Sequence, residues 1–382
     1  MTLVTSEQRL MVDTLRRVAR EEFEPRAAAI EEQHRYPREN LARLAELGFL
    51  GLTVPERYGG LGQSFETYAR LLEEVSRVCI NTAGTWCVHV TVEEILVSYA
   101  HEALARRLLP EMMSGPRVGA LCLTEPSSGS DAASLKTTCT RSRDGFVLQG
   151  EKIFITSGGE ADIYVVFARR PGTTGANGIS ALLVEKGTPG LAFGRPERKM
   201  GYNGSPTTPV TFDGCFVPSG NLIGEEEAGF RIVKEGLAGG RISIAAICAG
   251  LAGRALSEAA RYANERKQFG EPVASFQMVR AMLADMAVRV HASRLMTRSA
   301  AARKDAHEAY EMEASMAKLF ASDAAMAVTT DAVQILGGYG YLKDYPTERY
   351  MRQAKIFQIV EGTNQIQRLL VSKHVLAAEV SE

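Results

Sequence analysis

One carboxylate near the C-terminal end, Glu361, lies in the run KIFQIVEGTNQIQR, residues 355–368. It follows an apolar Ile-Val pair and precedes Gly362, Thr363 and Gln365. Apolar surroundings penalise the charged form of a carboxyl and raise its pKa towards neutrality, where it can accept a proton. Gly362 leaves room for a ligand to approach the backbone. A second reading stays open on these residues alone: an acidic side chain in the first turn of the closing helix, well placed on the helix dipole.

Five further runs carry chemistry-bearing residues. LCLTEPSSGSD, residues 121–131, offers the hydroxyls of Thr124, Ser127, Ser128 and Ser130 around Gly129. Such a loop suits a planar heterocycle or a phosphate, or is an ordinary Ser/Gly turn. In GEKIFITSGG, residues 150–159, Phe154 and Thr156 alternate along a strand and share a face that can hold a flat ring, or simply end the strand at a glycine turn. Gly239-Gly240-Arg241 and NERKQFG, residues 264–270, place Arg241, Arg266 and Lys267 as phosphate ligands or as solvated basic helix ends. The glycines of QILGGYGY, residues 334–341, permit close approach to a ligand or another subunit.

The elements that must position these residues change character twice. Residues 1–117 read as helices. Ser6 caps an amphipathic first helix with Leu10, Met11, Leu15 and Val18 on one face, and Pro37 opens another with Leu41, Leu44 and Leu47. Helical patterns return over 65–79 and 88–113. Residues 118–227 carry short β-rich runs at 145–149, 162–167, 179–184 and 209–212, separated by turn residues, which indicates a β-barrel or sandwich. Residues 228–382 are helical again, over 228–264, 275–303, 307–336 and 364–379, with Ala-rich stretches suited to a close-packed bundle. The expected fold is thus α+β: an N-terminal helical domain, a middle β-barrel and a C-terminal four-helix bundle.

Composition narrows the functions. The 382 residues are 45% hydrophobic and 23% charged with a net charge of -1, so no basic field draws the chain to nucleic acid or an anionic membrane. The most apolar stretch, 242–253, is too short to span a bilayer. The six cysteines form no CxxC and no zinc pattern with the histidines, and read as buried thiols of a reducing compartment. The opening MTLVTSEQRL lacks a signal peptide, which points to a cytoplasmic protein, or a mitochondrial one from which a leader was removed. No GxGxxG follows a strand, no GxxxxGK[ST] occurs, and no nucleophile-elbow serine is present.

Over essentially its whole length the chain resembles the acyl-CoA dehydrogenase family of flavoenzymes. The resemblance rests on the LTEPxxGSD run, KxFIT, ERKQFG, QILGGYGY and VEGTNQIQR, in family order and spacing. Residues 178–190 and 337–345 are most similar to isobutyryl-CoA and other short branched-chain members. The resemblance implies FAD between the β-domain and the C-terminal helices. Leu121, Leu123, Thr124, Gly129 and Ser130 would line the isoalloxazine, with Phe154 and Thr156 on its other side. Arg266, Phe276 and Gln277 would hold the pyrophosphate and adenosine. Gln334, Gly337 and Gly338 would reach a neighbouring subunit's FAD, and Thr363 and Gln365 would contact the cofactor near the base.

In that chemistry Glu361 removes the α-proton of an acyl-CoA, its own N–H and a ribityl hydroxyl polarise the thioester carbonyl, and the β-hydrogen leaves as hydride. One branch of the family carries its base immediately before the arginine that corresponds to Arg241. Gly240 stands there in this chain and cannot serve, which leaves Glu361. Ser130, Gly240, Arg241, Gly362 and Arg368 are the implied substrate contacts, and the apolar segments 88–96 and 232–237 the implied tail pocket. Phe154 stands where many relatives carry Trp, and Ser127-Ser128 where many carry Gly-Ala. The resemblance further implies a homotetramer that reduces an electron-transfer flavoprotein. Its variants act on acyl carrier protein thioesters or pass electrons to oxygen. A noncatalytic, nucleic-acid-binding relative would need a basic surface, which the balanced charge opposes.

Overall fold

The structure, a computed structural model, describes residues 5–115 and 117–379. Six helices come first: α1 (Ser6–Val18), α2 (Glu24–Glu32), α3 (Arg38–Glu46), α4 (Phe65–Ser76), α5 (Ile80–Tyr99) and α6 (Glu102–Met113). Thr5, not Ser6, caps α1. Its hydroxyl accepts from Gln8 N–H and Gln8 Oε1 accepts from Thr5 N–H, because a capping box requires a Gln or Glu three residues after the cap. The single pattern expected over 88–113 is two helices. The chain turns extended at Ala100, ψ 143°, and the His101 ring accepts from Leu104 N–H to start α6. No Gly or Pro marks that break.

The middle of the chain forms β1 (Gly119–Cys122), β2 (Thr138–Arg141), β3 (Gly145–Thr156), β4 (Ile163–Arg169), β5 (Ile179–Glu185), β6 (Leu191–Phe193), β7 (Thr207–Pro218) and β8 (Leu222–Ile223). They make one sheet in the order β6-β7-β3-β2-β4-β5-β8, with β1 alongside β4. The expected barrel is not closed. Its end strands β6 and β8 are three and two residues long, too short to pair across the gap. β4 is buried on both faces: Ile163, Val165 and Phe167 pack with Val92, Leu96 and Leu108 of the helices, while Tyr164, Val166 and Ala168 fill the sheet's own core. This two-sided burial ties the β-domain to the N-terminal helices.

The last part holds α7 (Gly229–Glu265), a hairpin of β9 (Lys267–Gln268) and β10 (Glu271–Pro272), then α8 (Gln277–Asp305), α9 (Glu311–Leu336), α10 (Thr347–Ala354) and α11 (Asn364–Glu379). Helices α7, α8 and α9 pack on one another, and α11 packs on α9. α7 is long and apolar enough to cross a membrane, but 83% of its most apolar window is buried inside the fold. Its small residues let other helices approach closely. At Gly250 a Cβ would lie 1.9 Å from Ser76 Oγ and 2.4 Å from the Glu73 carbonyl oxygen, so α4 rests on bare backbone there. Gly250→Ala should cost about 1–3 kcal/mol, seen as a lower midpoint in thermal or urea unfolding.

Candidate active site

Glu361 lies in the loop between α10 and α11, before the helix and not in its first turn. Its φ is 56° and that of Gly362 is 88°, two consecutive left-handed residues. Glycine adopts this conformation freely; a glutamate does so only when its surroundings impose it. Both carbonyls of the turn are held. Gln367 Nε2 donates to the Glu361 oxygen at 3.0 Å and to the Gly362 oxygen at 2.9 Å. Arg241 Nε donates to the Glu361 oxygen at 3.3 Å. Lys318 Nζ donates to the Gly362 oxygen and to Asn364 Oδ1, each at 2.8 Å. The Glu361 N–H has no acceptor among the described residues, which leaves it available to a ligand.

The Glu361 carboxylate rests on α7 at Gly240. A Cβ on Gly240 would lie 2.9 Å from Oε2 and 3.0 Å from Cδ, so a glycine is what admits the carboxylate. Oε2 is buried and has no hydrogen-bond partner among the described residues. Burial pushes the carboxyl up to about 7, against the pull of Arg241 and Lys318. Cys87 of α5 faces the same space, and burial together with the Glu361 charge raises its thiol. All six cysteines are buried and unpaired.

The LTEPxxGSD run forms a braced loop after β1. Glu125 accepts from Thr137 N–H at 2.9 Å and from Lys152 Nζ at 2.7 Å, and Lys152 also donates to the Leu123 carbonyl at 3.0 Å. Burial would raise the Glu125 carboxyl, but Lys152 and the backbone donors hold it below the ordinary range. Ser128 is not free to donate outwards: its hydroxyl bonds the Asp131 carbonyl. Ser127, Gly129 and Ser130 are exposed, and a Cβ at Gly129 would meet nothing within 4 Å. The simple alternation read for β3 is broken by an irregularity between Lys152 and Ile155. Phe154 takes φ 57° and is 59% exposed, Ile155 is buried, and Thr156 is half-buried.

A second cleft, about 530 Å³, is lined by Arg266, Val273, Gly337, Gly338 and Tyr339. The guanidinium of Arg266 stands over the Tyr339 ring at 5.6 Å. The structure thus brings together Arg266 and Gly337-Gly338, of which the resemblance assigned only the glycines to a neighbouring subunit's FAD. Phe276 stacks edge-on with Phe269, while Gln277 and Gln334 are exposed. Thr363 Oγ1 accepts from Ile366 N–H at the start of α11, and Gln365 is exposed. Arg368 is ion-paired with Asp323 at 3.0 Å.

Sequence reading missed Lys318, Lys152 and Gln367. Gln367 and Asn364 lie inside a motif that was recognised. Lys318 sits in an Ala-rich helical run, where the one available signal was a lone lysine among apolar residues.

Three family models match this chain: the acyl-CoA dehydrogenase N-terminal domain over residues 5–116, the middle domain over 120–215 and the C-terminal domain over 227–376. An acyl-CoA dehydrogenase of Bacillus subtilis is 45% identical over 98% of this chain and 99% of its own length. The chain belongs to the acyl-CoA dehydrogenase family. The mitochondrial isobutyryl-CoA dehydrogenase of Bos taurus is 43% identical over 94% of this chain and 86% of its own. Among solved structures, butyryl-CoA dehydrogenase from Megasphaera elsdenii superposes with a TM-score of 0.96 at 38% identity, covering 98% of this chain and 100% of that one. A chain in a structure described as the electron transferring flavoprotein of Acidaminococcus fermentans does so at 0.96 and 43%, covering 98% and 99%. Acyl-CoA dehydrogenases are oxidoreductases acting on the CH–CH bond of acyl-CoA, and FAD is their cofactor.

The raised Glu361 carboxyl makes a stability prediction. The folded chain keeps this proton up to about pH 7, whereas the unfolded chain releases it near 4.5, the ordinary range for a glutamate. Stability therefore falls as pH rises through that window and stays lower above it. Glu361→Gln should match the wild type at pH 4.5 and exceed it at pH 8 by about 2 kcal/mol, allowing for partial exposure. Urea unfolding of the two proteins at both pH values checks this.

Proposed function

We propose that this protein dehydrogenates a short, branched acyl-CoA between its α and β carbons, giving the 2-enoyl-CoA, and passes the electrons to an electron-transfer flavoprotein. The observation that carries the reading is the Glu361 carboxylate lodged on Gly240 with Oε2 buried and unpaired. A carboxylate that titrates near neutrality with one oxygen buried is a competent base for a weakly acidic C–H.

The residues present fit FAD. Phe154 offers an exposed ring on a left-handed backbone, a conformation that leaves the ring unburied by its own chain. Gly129 leaves open space beside the hydroxyls of Thr124 and Ser130. Leu121, Leu123 and Thr156 complete one holding surface, with Thr363 and Gln365 next to the base. Arg266, Phe276, Gln277, Gln334, Gly337 and Gly338 would hold the cofactor's phosphate-bearing portion. The cleft shared by Arg266, Gly337 and Gly338 supports assigning those three to one FAD molecule, not to two. FAD held there would supply a hydride acceptor for the β-hydrogen.

Glu361 takes the α-proton. Its N–H, fixed by the turn, donates to the thioester carbonyl and stabilises the charge that develops there. Arg241 holds the Glu361 carbonyl, which belongs to the following peptide, and so helps fix the turn that carries this N–H. Ser130, Gly362 and Arg368 lie on the substrate side, and release of Arg368 from Asp323 would make it available to a CoA phosphate. The short acyl group is supported by the packing of α5 on α7. Ile95 comes within 3.0 Å of a Cβ built at Gly236, and the Glu94–Lys304 ion pair abuts Gly239. Exposed apolar residues on α8 and α11, among them Met278, Val288, Leu369 and Leu376, support a homotetramer.

Titration of the FAD-loaded protein with a panel of acyl-CoAs, followed by flavin bleaching, tests the reading. Isobutyryl- and butyryl-CoA should bleach rapidly and dodecanoyl-CoA poorly, with a rate that rises with pH about a midpoint near 7. Glu361→Gln should retain FAD and lose the rate by about 10³-fold or more. Bleaching by carrier-protein thioesters alone would move the substrate class, and near-normal bleaching in the variant would remove Glu361 as base.

A further inference from the structure

Taking Glu361 as the base, we propose that Lys318 is its positioning residue: from inside α9 it clamps the carbonyl of Gly362, the residue after the base, and places a cation near the carboxylate. Lys318 is fully buried, flanked on its helix by buried Ala317 and Ala321. It forms no ion pair among the described residues. Its ammonium bonds the Gly362 carbonyl and the amide oxygen of Asn364, both neutral groups, at 2.8 Å. A buried ammonium without a carboxylate partner is costly, and a methionine would fill the same space without that cost. Packing alone therefore does not account for a lysine here.

Two consequences follow from its place. The first is conformational. The Glu361–Gly362 turn is left-handed at both residues, and among the described residues the Gly362 carbonyl is fixed only by Lys318 and Gln367. Loss of the ammonium frees one end of a strained turn, and the carboxylate can leave its seat on Gly240. The second is electrostatic. The groups facing Glu361 are Arg241 from α7, Lys318 from α9 and the Cys87 thiol from α5. Lys318 in turn faces Cys248 and Arg241 of α7, Glu361, and Asp323 of its own helix. Asp323 is already engaged by Arg368, Gln358 and Asn364. Burial lowers the Lys318 ammonium to about 8, so it stays charged at neutral pH and favours ionised Glu361.

The test uses FAD-loaded Lys318→Met, which removes both donor and charge, and Lys318→Gln, which keeps a donor without the charge. Flavin reduction by a saturating and a limiting acyl-CoA is measured across pH, with FAD content and unfolding followed in parallel. Both variants should move the pH midpoint upwards by about one unit, because a removed cation disfavours the charged base. At neutral pH kcat should fall about tenfold with KM little changed, and more in Lys318→Met than in Lys318→Gln. An unmoved midpoint in a variant that retains flavin overturns the proposal, as does loss of flavin and of cooperative unfolding in both, which would leave Lys318 a packing role alone. Failure of the base assignment itself is distinguishable: Glu361→Gln would then still reduce flavin.

Discussion

A carboxylate pressed against the bare backbone of a helix is the contact on which the site depends. Gly240 has no side chain, so the α7 backbone can receive the Glu361 carboxyl at a separation that a Cβ would forbid. The same contact dries the carboxyl and raises its proton affinity to the range where it can both take and release a proton near neutrality. Two cations oppose the burial without forming an ion pair with it, Arg241 from α7 and Lys318 from α9. The base is therefore set by two helices, α7 and α9, and one strained turn, and no single neighbour fixes it.

The larger architecture supplies what that contact needs. β4 is buried on both faces, so the sheet and the first six helices form one continuous support. The braced loop after β1 hangs from this support through Glu125 and Lys152, a pair that is wholly buried and reaches both β3 and the backbone ahead of the loop. The loop presents Gly129 and Ser130 towards open space because its internal hydrogen bonds are made by other residues, Ser128 among them. On the C-terminal side, α7 carries glycines wherever another group must come close: Gly236 under Ile95, Gly239 under Glu94, Gly240 under Glu361 and Gly250 under α4. One helix thus serves as floor for substrate, base and neighbouring helix.

Much of this was legible in the residues. Glu361, its glycine and the flanking Thr363 and Gln365 are contiguous, so a reader meets them together. The helix–sheet–helix order follows from a change of hydrophobic period that short strands and Ala-rich helices both preserve. What was not legible depends on distance along the chain. Lys318 meets its partner 44 residues away, and its one local signal, a lone lysine in an Ala-rich run, does not say what it meets. Barrel closure turns on whether β6 and β8 are long enough to pair, which strand propensity does not report. The break between α5 and α6 is made by a histidine cap with no glycine or proline to announce it. The left-handed backbone at Phe154 and Glu361 is equally silent, because neither residue type favours it.

The central claim is that Glu361 itself removes an α-proton from a thioester. It is tested most directly by separating that step from the loss of hydride. Acetyl-CoA has α-hydrogens and no β-carbon, so it can exchange protons but cannot be dehydrogenated. Incubated with the FAD-loaded protein in deuterated water and followed by mass spectrometry, it should gain deuterium at the methyl group in the wild type, faster as pH rises through about 7, and should not gain it in Glu361→Gln. Exchange at the wild-type rate in the Gln variant would contradict the account.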